Sequence, residues 1–244
     1  MGTSKGYSAP TTPEWAKQKA EITRLSNNGA VSIEIARDVF NKFISIAGGN
    51  TSDSGTRRAV ENNSVAHQTI QRIASFISSV ANNGLDQTLI RENLSSLIGR
   101  SAQEFALTIV DRLSGDGSTL DEADARNALS DLINFILKDT ETYEDVTKTF
   151  DEIVTEANLG ILLAQYFGYY LFRQFCRVYY ERLVTRHGRD KAESFINSIK
   201  EMISSLVSHQ IYEKNIFRVD WSGVEGRDII NNILERTYSV FEEG

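Results

Sequence analysis

The chain of 244 residues is long enough for one large or two small hydrophobic cores, and 41% hydrophobic with 24% charged residues is typical of a folded globular protein. Its net charge of −7 disfavours binding of a phosphate backbone by a broad basic face, so we expect no direct nucleic-acid binding. The single cysteine, Cys176, excludes an internal disulfide framework and is expected to be a small buried hydrophobe in a reducing, cytoplasmic environment.

The first thirteen residues, MGTSKGYSAPTTP, differ in composition from everything that follows. They hold both prolines of the chain, Pro10 and Pro13, among small and polar residues, which predicts a flexible N-terminal tail over residues 1–13. N-myristoylation requires serine or threonine at the sixth position, where this chain has Gly6, so lipidation is set aside. Two interpretations remain: an inert disordered end, or a presented terminus in which Gly2, exposed by removal of the initiator methionine, enters a partner's active site.

The rest of the chain contains no residue that must break a helix, and glycines separate segments with apolar residues at helical spacing. This pattern predicts an all-α fold, a bundle of about nine helices. The predicted helices span residues 13–26, 32–47, 56–81, 85–97, 101–113, 120–137, 143–187, 189–212 and 227–241. We expect an N-terminal helical part over residues 14–117 and a C-terminal helical part over residues 118–244, or one continuous domain formed by both.

Two of these helix starts carry a complete capping signal. Ser101 is followed three residues later by Glu104, and Thr119 is followed in the same way by Glu122. This is the spacing of a capping box, in which each side chain accepts a hydrogen bond from the other residue's backbone N–H. The sequence therefore predicts that helices begin directly after Ser101 and Thr119.

The most apolar window, LGILLAQYFGYYLF, covers residues 159–172. Because Arg173 and Arg177 end it well short of the ~20 residues that span a bilayer, we predict a buried helix and no membrane partner, with an interfacial helix as the alternative. Arg173 and Arg177, and likewise Arg182 and Arg186, are expected on an exposed side of this helix, with acids nearby to compensate the repulsion.

Acidic residues are concentrated between positions 119 and 156, where eleven acids stand against three bases. Such a block is usually a solvated helix face, and that is the prediction here, with docking of a basic partner protein as the alternative. A hydrolase or nuclease would require some of these carboxylates to cluster.

No group of residues forms a recognisable catalytic or metal site. The three histidines, His67, His187 and His209, have no ligand spacing with a cysteine or carboxylate, and the chain has no nucleophile elbow. We therefore predict no catalytic residue, no metal and no cofactor. The stretch VDWSG places Trp221 between two predicted helices, where an aromatic anchor for the last helix is favoured over a contact with a partner protein.

Four stretches together resemble one protein family. MGTSKGY followed by proline and Trp15, then SLIGRSAQE, DGSTLDEADARNAL and the late VDWSGVEG, are similar to the QatB component of bacterial Qat antiphage operons. These operons also encode a QueC-like protein, an ATPase and a TatD-like nuclease. The resemblance implies a defence protein that acts through these partners and resembles no enzyme itself.

The resemblance also implies a modification. Relatives of QueC-like enzymes in defence operons join a deazaguanine to the N-terminal glycine of a partner protein. Carried over to this chain, Gly2 is the acceptor of a covalent 7-deazaguanine adduct, and Thr3 and Ser4 complete the sequence recognised by the QueC-like (QatC-like) partner. Trp15 and Trp221 are the further candidates for partner recognition.

Two other hypotheses stay open. In the first, the helical body is an adaptor for the operon ATPase or nuclease, and the tail is inert. In the second, the chain is an unrecognised hydrolase or nuclease that uses clustered carboxylates.

Overall fold

The computed structural model describes residues 33–47, 64–115, 117–208 and 217–243, together with Lys17 and Ala20. Within these residues the chain is all-α, as predicted, with nine α-helices and no β-strand. The helices are α1 (Ile33–Ala47), α2 (Ser64–Asn83), α3 (Leu85–Arg91), α4 (Ala102–Leu113), α5 (Leu120–Ile136), α6 (Tyr143–Ile153), α7 (Glu156–His187), α8 (Arg189–Ser208) and α9 (Val224–Glu243), with a short 3-10 helix at Ser95–Leu97. Lys17 and Ala20, both helical, are the described residues of the predicted first helix.

The capping boxes predicted from the sequence are confirmed. The Ser101 and Thr119 hydroxyls accept hydrogen bonds from the backbone N–H groups of Glu104 and Glu122, each at 3.2 Å. A third box that we did not predict begins α6, where Thr142 pairs with Asp145 in the same way. All three satisfy backbone donors that a helix start otherwise leaves unpaired.

The predicted helix over residues 143–187 is in fact two helices, separated at Val154 and Thr155. The Thr155 hydroxyl caps α7 by accepting from the Asn158 backbone N–H at 3.3 Å, while the Asn158 side chain donates to the Ile153 carbonyl at 3.0 Å. The break therefore depends on local side-chain bonds to the backbone.

Helix α7 is the centre of the bundle, and α1, α2, α5, α8 and α9 all pack against it. Its 32 residues correspond to ~48 Å of helix. The apolar window at residues 159–172 is buried except for Ile161, which is partly buried, so the predicted buried helix is confirmed. None of the helices in the described ranges is long and apolar enough to cross a membrane.

Aromatic rings join the other helices to α7. Phe43 of α1 meets Phe175 at 5.5 Å between ring centroids and Tyr179 at 6.1 Å, both edge-to-face, and Tyr238 of α9 meets Phe167 at 5.3 Å. Such pairs add to the stabilisation from apolar burial. Buried residues from α1 to α9 form one hydrophobic cluster, while the boundary proposed between residues 117 and 118 stays a prediction.

Candidate functional site

Four of the sequence-predicted site residues, Gly2, Thr3, Ser4 and Trp15, lie outside the described residues. Their roles in modification and recognition stay predictions. The described part of the molecule holds the fifth, Trp221, and two groups of ion-paired residues whose partners the sequence did not identify.

Trp221 lies inside the core between α2 and α9. Its indole is 3% exposed, and its Nε1–H donates to the Ser78 hydroxyl of α2 at 2.9 Å. This geometry is that of an aromatic anchor with a satisfied polar group, as favoured from the sequence. A role of Trp221 in recognising a partner stays a prediction.

The residues around Trp221 explain the rest of the VDWSGVEG motif. The Asp220 carboxylate accepts hydrogen bonds from the Ser222 backbone N–H at 2.9 Å and from its hydroxyl at 2.6 Å, which fixes a tight turn. A Cβ at Gly226 would lie 2.5 Å from the Trp221 Cα, so this position has no room for a larger residue. The last helix begins at Val224 rather than at the predicted Arg227, so Gly226 lies inside this helix.

A buried carboxylate connects helices α5, α7 and α8. Asp131 of α5, whose side chain is 8% exposed, accepts from Arg173 Nε of α7 at 2.6 Å and from Lys200 Nζ of α8 at 2.7 Å. Two cations thus neutralise one carboxylate, and Lys200 also lies 5.2 Å from the centre of the Tyr169 ring. One acid connects α5, α7 and α8.

A second ion pair lies about two turns towards the start of α5. Arg177 Nη2 lies 3.1 Å from Asp121 Oδ1, and Arg177 Nε lies 3.2 Å from Asp124 Oδ2. Burial raises the pKa of the Asp124 carboxyl to about 6, while the nearby Arg177 guanidinium acts in the opposite direction. We call the residues of both ion pairs the charge cluster: Asp121, Asp124, Asp131, Arg173, Arg177 and Lys200.

The charge cluster corrects two expectations. Asp124 and Asp131 are buried, so the acidic block is not wholly a solvated face. Arg173 and Arg177 are only 33% and 19% exposed, so they do not lie on an open side of α7, although acids do compensate them as predicted. The two arginines of α7 face the acids of α5 because these two helices pack against each other.

The chemistry of the charge cluster is that of structural ion pairs. Each of its three carboxylates lies within 3.2 Å of a guanidinium or ammonium nitrogen. Cys176, next to Arg177 on α7, is partly buried rather than fully buried, and burial raises the pKa of its thiol to about 12. At neutral pH the thiol is protonated and a weak nucleophile. In the described ranges, no three His, Cys, Asp or Glu side chains come together in a way that could hold a metal ion.

Sequence reasoning missed the charge cluster because its partners are 42 to 69 residues apart along the chain. The available signal was the pairing of opposite charges with helical spacing on α5 and α7. Asp121 and Asp124, and Arg173 and Arg177, each lie on one face of their helix. Such spacing predicts which face of a helix carries the charges, but it does not predict which helix packs against that face.

Comparison with protein families gives a match over most of the chain. The family described as "Qat anti-phage system associated protein QatB" matches residues 54–241, well over half of the chain. Neither the curated proteins nor the solved structures contain a match to this chain. The matched range contains α2 to α8 in full and begins 52 residues after Gly2.

Proposed function

Because the chain belongs to the QatB family of proteins associated with the Qat anti-phage system, we propose that it is a non-enzymatic defence component and the substrate of a QueC-like partner. In this proposal the partner joins a deazaguanine to the α-amine of Gly2. Family membership is the observation that carries the defence function. The start MGTSKGY, which resembles that of the family, carries the choice of Gly2.

The α-amine is suited to the role of acceptor. Its pKa of ~8 leaves a useful unprotonated fraction near neutral pH, whereas a lysine amine with a pKa of ~10.4 is almost fully protonated. Cys176, the only thiol of the chain, is a poor competitor because its pKa of about 12 keeps it protonated. Glycine also adds the least steric hindrance next to the amine.

The proposed reaction is an acyl transfer. The partner uses ATP to activate the carboxylate of a deazaguanine as an acyl adenylate, which releases pyrophosphate. The Gly2 nitrogen, in its unprotonated form, then attacks the acyl carbon. An amide bond forms, the bond to the phosphate oxygen breaks, AMP leaves, and the amine loses a proton to solvent. This chain contributes the nucleophile, and the partner contributes binding and activation, with Thr3 and Ser4 as the residues that it reads.

The test is the intact mass of the protein purified from cells that carry the whole operon. We expect a mass increase that is absent when the QueC-like gene is deleted. An unshifted mass with all partners present would remove Gly2 modification from the account and leave only the family assignment.

The second candidate function is an adaptor in which the helical body binds the operon ATPase or nuclease. The observation that favours it is the range of the family match, which lies in the helical body and does not include residues 2–12. Deletion of residues 2–12 separates the two functions. The adaptor predicts that phage resistance survives this deletion, whereas modification of Gly2 predicts that it is lost.

A further inference from the structure

A cavity of about 780 Å³ lies between α2, the C-terminal end of α4 and the start of α5. Its volume is within the range of small-molecule sites, which are commonly ~300–1,000 Å³. Its walls are mainly polar. One face of α2 contributes Gln68, Gln71, Arg72 and Ser75. The charged residues of the opposite wall lie just after α3, at the C-terminal end of α4 and in the first turn of α5.

The carboxylates that line this cavity are already bound. Glu92 accepts from Arg112 at 2.9 Å, and Asp111 pairs with Arg126, which also donates to the Ser114 hydroxyl at 3.1 Å. Glu122 accepts from the Ser118 hydroxyl at 2.7 Å and from the Thr119 backbone N–H at 3.0 Å at the start of α5. These hydrogen bonds hold the pKa of Glu122 below its usual range.

Arg72 is the lining cation without such a partner. Its side chain is exposed, and its Nη1 donates one long hydrogen bond of 3.5 Å to the Leu113 carbonyl. None of the carboxylates in the described part of the chain lies within ion-pair distance of it. The guanidinium therefore faces the cavity with most of its five N–H donors available.

The neighbours of Arg72 on α2 complete a set of donors. Gln68 precedes it by four residues and Ser75 follows by three, so their side chains lie on the same face, with the Gln71 amide beside them. A guanidinium binds a planar or tetrahedral oxyanion through two parallel hydrogen bonds. Amide side chains supply both donors and acceptors, which suits the edge of a polar organic group.

We propose that this cavity binds a small organic oxyanion of nucleotide size, with Arg72 contacting its phosphate and Gln68 and Gln71 its polar body. The phosphate is favoured over a carboxylate because Arg72 and Ser75 together offer donors to more than two oxygens. This site is separate from Gly2 and involves no covalent step.

The proposal is tested by isothermal titration calorimetry on the full chain. The probes are guanosine 5′-monophosphate and adenosine 5′-monophosphate, with guanosine, inorganic phosphate and glutarate as comparisons. We expect a monophosphate to bind, guanosine to bind more weakly, and Arg72→Gln to weaken the monophosphate by about tenfold or more, the effect of losing a charged hydrogen bond.

The matched control is Arg91→Gln, which removes another exposed arginine that does not line the cavity. It should leave binding unchanged, as should Gly2→Ala, so a failure here is distinguishable from a failure of the modification. Arg72→Lys, which keeps the positive charge but not the two parallel N–H donors of the guanidinium, should give an intermediate affinity.

Three outcomes would overturn the proposal. The first is that no monophosphate binds, and the second is that Arg72→Gln binds it as tightly as the parent chain does. The third is that glutarate alone binds in an Arg72-dependent way, which would assign the site to carboxylates. Inorganic phosphate binding as tightly as the monophosphates would remove the nucleotide-sized part of the claim.

Discussion

The Trp221 turn and the charge cluster both join distant parts of the chain, but they do so by opposite means. The turn uses one buried indole, one neutral hydrogen bond to Ser78 and a glycine that permits close backbone contact. The charge cluster uses ion pairs whose arginines and lysine keep 19% to 35% of their side-chain surface in solvent. The comparison indicates that apolar anchoring should dominate stability, because partly solvated ion pairs are screened and desolvation opposes their attraction.

The largest expected effect is that of Trp221→Ala, which removes the anchor and leaves a cavity next to Ser78. We expect a loss of about 3–5 kcal/mol in the free energy of unfolding, typical of a buried aromatic residue. Urea denaturation followed by circular dichroism measures it. Trp221→Phe, which keeps a ring but not the N–H donor, should lose less than Trp221→Ala, and equal losses would show that the hydrogen bond and not the packing dominates.

Gly226→Ala tests the close contact that supports the same turn. A Cβ at this position would lie 2.5 Å from the Trp221 Cα and 2.7 Å from the Asp220 carbonyl oxygen, and backbone atoms cannot move away easily. We expect a loss of about 1–3 kcal/mol, as for other overpacked sites. Gly115→Ala is the control, since its Cβ would meet the Glu122 side chain at an ordinary 3.5 Å. The account is wrong here if both substitutions have the same small effect.

Asp131→Asn tests the charge cluster at its most buried acid. The substitution leaves Arg173 and Lys200 without their shared carboxylate, but both cations are about one-third exposed and can turn to water. The expected loss is about 1–2 kcal/mol, below the ~3–5 kcal/mol for breaking a fully buried pair. Glu92→Gln, in the exposed pair with Arg112, should cost no more than about 1 kcal/mol. A loss of stability from Asp131→Asn as large as that from Trp221→Ala would contradict the conclusion that apolar anchoring contributes more to stability than the ion pairs do.

Asp124 should make the stability of the fold depend on pH. The pKa of Asp124 is about 6 in the folded chain, above the ~3.9 of an unfolded aspartate. Between these values the folded state binds more protons at Asp124, so this residue makes the stability fall as the pH rises from about 4 to about 6. Thermal unfolding of the parent chain and of Asp124→Asn across this window measures it. The difference in unfolding temperature between the parent chain and Asp124→Asn should change steadily over this pH window and then level off. A difference that stays constant across the window would contradict the raised pKa of Asp124.

The Trp221 turn and the charge cluster also differ in how well they could be predicted from the sequence. The Trp221 turn was visible because its signals are local: an aspartate, a tryptophan and two glycines between helical segments. Ser101 and Thr119 were visible as helix starts for the same reason. Thr142 was missed because its partner is Asp145 rather than glutamate or glutamine, and the start of α7 because Thr155 and Asn158 form a cap without glycine or proline.

The charge cluster could not be predicted in this way. Asp131 meets Lys200 across 69 residues of sequence, and only the packing of α5 and α8 on α7 brings them together. An arginine at helical spacing looks the same from sequence whether it faces water or a buried aspartate. The proposed acceptor, Gly2, was reached from the resemblance of the chain's first residues and not from the geometry of the helical body.

The central claim is that this member of the QatB family receives a deazaguanine on its N-terminal amine. The most direct measurement is tandem mass spectrometry of the N-terminal peptide from cells that carry the complete operon, for the parent chain, Gly2→Ala and Gly6→Ala. The account predicts an adduct on the Gly2 nitrogen in the parent chain and in Gly6→Ala, and its loss in Gly2→Ala. An unmodified N-terminal peptide from the parent chain, or an adduct on any other residue, would contradict it.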